Sequence, residues 1–172
     1  IYTTLDTLSL HDALPIQLEI TLLHMGSHAS QNTPPGHLDA FYATFDEVRG
    51  DTFDGLVITG APVELLPFED VDYWDELCEV LDWSRDHVYS TMHVCWGAQA
   101  GLYRHYGVPK RELPEKMFGV FDHEVHNPHN RLLSGFDEVF GAPHSRHTTV
   151  EAADVAHVPG LEVLVTSPEA GL

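Results

Sequence analysis

The stretch Val88-Tyr89-Ser90-Thr91-Met92-His93-Val94-Cys95-Trp96-Gly97-Ala98-Gln99-Ala100-Gly101 decides how this chain is read. Val88 to Val94 is a short run rich in β-branched and apolar residues, the composition of a strand. The small residues after Cys95 allow a tight turn into a helix over Gly97 to Tyr106, and Gly107-Val108-Pro109 stops that helix. A cysteine at a strand-to-helix corner is a nucleophile elbow, held at the carboxyl edge of a sheet where α/β sites lie. The helix N-terminus aimed at the sulfur favours thiolate over thiol, and the Trp96 N–H is placed to receive a tetrahedral oxyanion. Gly60-Ala61, at the end of a neighbouring apolar run, can supply the second backbone donor. The plainer alternative is that Cys95 is a small residue buried ahead of a helix.

Working outward, Gly55 to Thr59 is almost wholly apolar, as expected for a central strand of a parallel sheet, and Gly60-Ala61-Pro62 ends it. Val71 to Arg85 reads as a helix with Trp74, Leu77, Cys78 and Leu81 on one stripe, which makes Cys78 a core residue. Leu38 to Val48 also has helical spacing, with Leu38, Phe41, Tyr42, Phe45 and Val48 on one face. Gln17 to Leu23 is expected as a strand and Ser27 to Pro35 as a loop. Further strands are expected at Phe118 to Val125 and Leu161 to Thr166, with Asp137 to Phe140 as another candidate. Strands alternating with helices predict an α/β fold with a largely parallel sheet.

Composition narrows the function. A chain of 172 residues with 43% hydrophobic content supports one core. Eight Lys+Arg against 27 Asp+Glu give a formal net charge of −19, a surface unsuited to nucleic acid or anionic membranes. High-salt adaptation and ordinary cytosolic acidity explain that charge equally well. Without a signal peptide or long apolar span, the expectation is a soluble, cytoplasmic protein. Cys78 and Cys95 are too few for a disulfide framework and should be free thiols. Thirteen histidines invite a metal reading, but His123, His126 and His129 straddle a strand end and an Asn-Pro turn, so no metal site is expected. A Cys–His pair remains open, with no particular ring singled out.

The segments Phe53 to Lys110 (FDGLVITGAPVELLPFEDVDYWDELCEVLDWSRDHVYSTMHVCWGAQAGLYRHYGVPK) and Pro114 to Thr148 (PEKMFGVFDHEVHNPHNRLLSGFDEVFGAPHSRHT) resemble the homoserine O-acyltransferase family of methionine biosynthesis. With ITLLHMGSHASQNTP before and LEVLVTSPEAG after, the resemblance covers about Pro15 to Leu172. It implies a class I glutamine-amidotransferase-like (flavodoxin-like) three-layer α/β sandwich with a mostly parallel sheet. That superfamily's elbow usually reads Gly-x-Cys-x-Gly-x-Gln; here His93 stands where the first glycine does. Residues 1–14 do not resemble the family and are expected to be a non-family leader, with residues 15–172 a partial domain truncated at both ends.

The resemblance further implies a ping-pong reaction in which Cys95 takes an acyl group from acyl-CoA and the L-homoserine hydroxyl then accepts it. Trp96, Gly60 and Ala61 would form the oxyanion hole. Lys116 and Ser145 match substrate-contacting positions, against the plainer readings of a surface lysine and a turn serine in a polar loop. Glu64 matches the position where acetyl and succinyl users differ, and a carboxylate there would repel a succinyl group, so acetyl-CoA is the expected donor and succinyl-CoA the alternative. The family's general-base histidine and its glutamate lie in a Gly-His-Pro-Glu-Tyr segment that this sequence lacks, so a catalytically silent fragment is also in view. No bound cofactor is implied, acyl-CoA being a co-substrate, and a homodimer is the candidate assembly.

Overall fold

A computed structural model describes residues 17–28 and 35–172. The expected leader at residues 1–14 and most of the loop expected over 27–35 lie outside the described residues. The chain divides into two compact units, Ile1–Arg49 and Gly50–Leu172.

In the first unit the helix expected over Leu38 to Val48 comes in two pieces, α1 (Pro35–Phe41) and α2 (Phe45–Val48). Between them Ala43 makes an isolated parallel bridge to Leu23, its N–H donating to the Leu22 carbonyl at 2.8 Å. Thr44 then restarts the helix, because Glu47 reaches back to accept the Thr44 N–H at 2.8 Å. The Thr44-x-x-Glu47 spacing was the available sign of this break. The strand expected at Gln17 to Leu23 is reduced to that one bridge, and Leu18 and Ile20 are exposed. Alternation suits a residue run to a sheet face, but a strand also needs a ladder partner.

The second unit begins with β1 (Phe53–Ile58), which pairs in parallel with β2 (Val88–His93) in a register running from Phe53↔Val88 to Ile58↔His93. The crossover carries a 3₁₀ turn (Phe68–Asp70) and α3 (Trp74–His87). On α3, Trp74, Leu77 and Leu81 are buried at the helical spacing the sequence predicts, Val80 is buried beside them, and Leu81 is fully enclosed. Burying such a leucine contributes about 1.5–3 kcal/mol. Cys78 is half-buried on the same helix, and burial pushes its thiol above the usual range. Helix α4 (Trp96–Tyr106) follows β2 and ends at Gly107, whose φ of 67° gives the left-handed cap expected of a glycine there.

A second sheet is antiparallel, with order β4-β3-β5, built from β3 (Arg111–Val125), β4 (Val139–Thr149) and β5 (Val165–Thr166). The parallel pairing expected from the sequence is present in β1 and β2; this antiparallel sheet is added to it. β3 starts well before Phe118, with a register shift between Glu112 and Met117 around Pro114. β4 extends far beyond Asp137 to Phe140 and takes in Pro143 to His147, which the sequence reading leaves as a polar loop. Proline is tolerated in an edge strand such as β4, where alternate backbone N–H groups face away from the ladder. Of the strand expected at Leu161 to Thr166, only Val165–Thr166 pairs. The short helix α5 (Ala152–Val155) and the segment after it contribute Val155 and Leu161 to a small cluster with Val108 and Val150.

Candidate active site

The elbow expected at Cys95 is built. Cys95 has φ 57° and ψ −127°, and it is the one non-glycine residue with positive φ among the described residues. Such a conformation costs on the order of 1–3 kcal/mol, so surrounding packing has to impose it. That packing is visible at two glycines. A Cβ at Gly60 would lie 2.8 Å from Cys95 Cβ and 3.0 Å from its Sγ, and one at Gly97 would lie 2.7 Å from the Thr59 carbonyl oxygen. The end of β1 therefore presses against the turn from one side and α4 closes it from the other. Val94 N–H donates to the Ile58 carbonyl at 2.9 Å and carries the ladder up to the corner.

Cys95 is exposed, which sets aside the reading of a merely buried small residue. It opens into a cavity of about 730 Å³ whose wall also includes Gly60, Ala61, Glu64, Ser145 and Arg146. Trp96 is the first residue of α4, so its N–H has no acceptor within the helix, and it sits 3.3 Å from where a Cβ on Gly60 would be. The Trp96 ring turns the other way, into an aromatic core. It lies 5.9 Å from Phe68, which stacks in turn on Trp74 at 5.1 Å and Tyr103 at 4.6 Å. This cluster anchors the first turn of α4 to the crossover segment.

Across the cavity, β4 supplies Ser145 and Arg146, paired with Phe118 and Met117 of β3. Thr148 Oγ1 donates to Gln99 Oε1 at 2.9 Å and ties β4 to α4. Arg146 bonds the carbonyls of Ala170 and Leu172, the latter at 2.8 Å, while its Nε is buried without a partner. Burial lowers the guanidinium's pKa, and the nearby Cys95 opposes that shift. The sequence reading missed Arg146, although its alternation with Phe140, Ala142 and His144 along β4 was a sign of an inward-facing position.

The structure does not bring Lys116 to this cavity. It is exposed on β3, its Nζ 5.7 Å above the Phe118 ring. The other lysine, Lys110, is the one tied to the site, through carbonyls of the loop that carries Glu64. No histidine lines the cavity among the described residues. His123 and His144 pair with each other instead, Nε2 to Nε2 at 3.0 Å, and the His123 ring also bonds the Phe121 carbonyl at 2.8 Å. Among the described residues no group of three or more His, Cys, Asp or Glu side chains is placed to hold a metal ion, and no helix is long and apolar enough to cross a membrane.

A strained cysteine at a helix N-terminus, backed by a glycine turn and opening into a cavity, has the geometry of a strand-to-helix elbow on an α/β scaffold. A solved chain from Thermoplasma acidophilum, described as a GMP synthase subunit, has a similar fold. Its TM-score is 0.55 at 17% identity, over 89% of this chain and 75% of that one. The family model described as homoserine O-succinyltransferase matches residues 1–172, and the chain belongs to that family. Proteins named homoserine O-acetyltransferase are similar to it: 60% identical in Bacillus cytotoxicus and 59% in Bacillus mycoides, each over 92% of this chain and 52% of the relative. The chain thus spans about half the length of the curated relatives it matches.

Proposed function

We propose that this chain supplies the nucleophile of a homoserine O-acyltransferase that uses acetyl-CoA. The observation that carries the reading is Cys95 itself, held at positive φ in a cavity shared with Glu64 and Ser145. Cys95 Sγ attacks the acyl carbonyl carbon, an S–C bond forms, the bond to CoA sulfur breaks, and the CoA thiolate leaves to take up a proton. The Trp96 N–H, with Gly60 and Ala61 beside it, receives the charge on the carbonyl oxygen in the tetrahedral state. The homoserine hydroxyl then attacks the enzyme thioester, loses its proton, and expels the Cys95 thiolate. Exchange of one thioester for another is nearly isoenergetic, and the enzyme thioester keeps enough reactivity to acylate an oxygen.

Ser145 contacts the acceptor in this reading, and Glu64 sets the donor. A carboxylate in the cavity wall repels the free carboxylate of a succinyl group and leaves acetyl unaffected. The succinyl alternative is favoured by the description of the matching family. Incubating the chain with acetyl-CoA or succinyl-CoA and weighing it intact tests both. The expected result is a 1:1 acetyl adduct on Cys95, absent in Cys95→Ser, with Glu64→Gly raising succinyl use relative to acetyl. An adduct from succinyl-CoA alone overturns the donor assignment, and no adduct from either donor overturns the reading for this polypeptide.

A further inference from the structure

The loop between β1 and the 3₁₀ turn runs from Gly60, which backs Cys95, through Glu64 in the cavity wall to Phe68 in the aromatic core. Two backbone bonds brace it internally, Leu66 N–H to the Val63 carbonyl at 3.0 Å and Asp70 N–H to the Pro67 carbonyl at 3.2 Å. Neither fixes Glu64 against the rest of the molecule. A side chain far along the chain does. Lys110, just ahead of β3, donates from Nζ to the carbonyls of both Glu64 and Leu66, the latter at 2.5 Å, and the same Nζ sits 4.8 Å above the Phe68 ring.

The geometry points to Lys110 as the positioning residue for donor choice, a cationic clasp that holds the Glu64 segment against the Phe68 core so that the Glu64 carboxylate faces the Cys95 cavity. This rests on the donor role proposed for Glu64, while the clasp itself stands on the contacts. Two carbonyls and an aromatic face satisfy a half-buried ammonium without neutralising its charge. Burial lowers the Lys110 pKa and Glu64 partly restores it, as expected for a cation held between an apolar core and one carboxylate. Only two lysines occur in the chain, so the use of one to bind carbonyls of the segment beside the nucleophile is not the incidental result of a lysine-rich surface.

The clasp is tested on Cys95 without turnover, by comparing its alkylation by neutral iodoacetamide and anionic iodoacetate. In both reactions Sγ displaces iodide. Rates are read at Cys95 by peptide mass spectrometry, which separates it from Cys78, and are normalised to a small free thiol. The unmodified chain should prefer iodoacetamide beyond the free-thiol ratio. Lys110→Met should cut that preference by about fivefold, the effect of one like charge at ~4 Å in a water-like medium, and Lys110→Arg should restore most of it. Loss of a nearby cation alone would disfavour the anionic reagent and move the ratio the other way, so an unchanged or increased preference in Lys110→Met overturns the proposal. If that variant does not fold, reductive methylation of the unmodified chain decides: slow labelling of the Lys110 amine relative to exposed Lys116 supports the clasp, and equal labelling overturns it. With the CoA thioesters, Lys110→Met should lower acetyl over succinyl selectivity in parallel. Altered alkylation with no acylation by either donor refutes the acyltransferase reading and leaves the clasp standing.

Discussion

On the Cys95 side of the cavity, position is enforced by close packing. Gly60 and Gly97 leave no room for a methyl group, Trp96 is buried in an aromatic cluster, and Leu77, Val80 and Leu81 of α3 are almost inaccessible. On the Ser145 side, β3 and β4 are held by a long antiparallel ladder, while Phe118, Val120 and Val139 stand exposed on it. Its buried side chains are largely polar: His123, Thr148 and Thr149. One wall is fixed by van der Waals contact, which tolerates almost no displacement; the other is fixed by hydrogen bonds, which can be lost one at a time. A nucleophile belongs on the first kind of wall and a substrate contact can sit on the second.

The largest expected effect is chemical. Cys95→Ser should reduce adduct formation from acyl-CoA by at least ~100-fold while leaving the melting temperature close to unchanged, since a serine hydroxyl without a base is a poor nucleophile. Gly60→Ala comes next and strikes the packed wall. The new methyl would meet Cys95 at 2.8 to 3.0 Å, so backbone must shift, at a cost of about 1–3 kcal/mol. It should lower thermal stability and Cys95 acylation together; full acylation in a stable Gly60→Ala protein would show that the elbow is not held by contact. Thr148→Val removes the bond to Gln99 that joins the two walls and should cost about 1 kcal/mol by denaturant titration, with acylation largely retained.

The smallest effect is a dependence on pH that separates the two regions. His93 and His105 near the elbow and His144 on the ribbon all have pKa values below the ordinary imidazole range, burial being the first cause in each case. For His144 the Arg146 guanidinium and His123 add to it. Folded-state values below the unfolded value mean that the folded chain binds fewer protons. Their stabilising contribution is therefore complete above about pH 6.5 and is lost as pH falls through the depressed values. Melting temperatures should drop between pH 7.5 and 5.5, and His144→Gln should flatten that drop in part. No change in slope would place the sensitivity on the elbow side.

The elbow was legible because strand, corner and helix are local. Val88 to His93, Cys95 and the small residues after it state their geometry within one turn of chain, and Gly107 marks the stop. The antiparallel ribbon was not, because its pairing depends on contacts far along the sequence and its edge strand is disguised by Pro143 and by polar residues at alternate positions. Ser145 was picked out through family resemblance, while the strand that holds it was expected only at its start, Asp137 to Phe140. Lys116 illustrates the converse: the resemblance named a lysine, yet the structure ties Lys110 to the site. Lys110 has no local signature, and the alternation that marks Arg146 as inward-facing does not tell which carbonyls it binds, since both residues act on carbonyls 24 or more residues away.

His93 ends β2 two residues before Cys95, and the room for its ring comes from Gly101 on the facing turn of α4. A Cβ at 101 would lie 2.7 Å from the imidazole Nδ1. The two positions therefore constrain each other asymmetrically. A glycine at 101 is harmless beside a small residue at 93, leaving only slack, whereas any larger residue at 101 turns the His93 ring out of its present rotamer. Position 93 can therefore be made smaller with Gly101 in place, while position 101 can be enlarged only together with a moved or smaller side chain at 93.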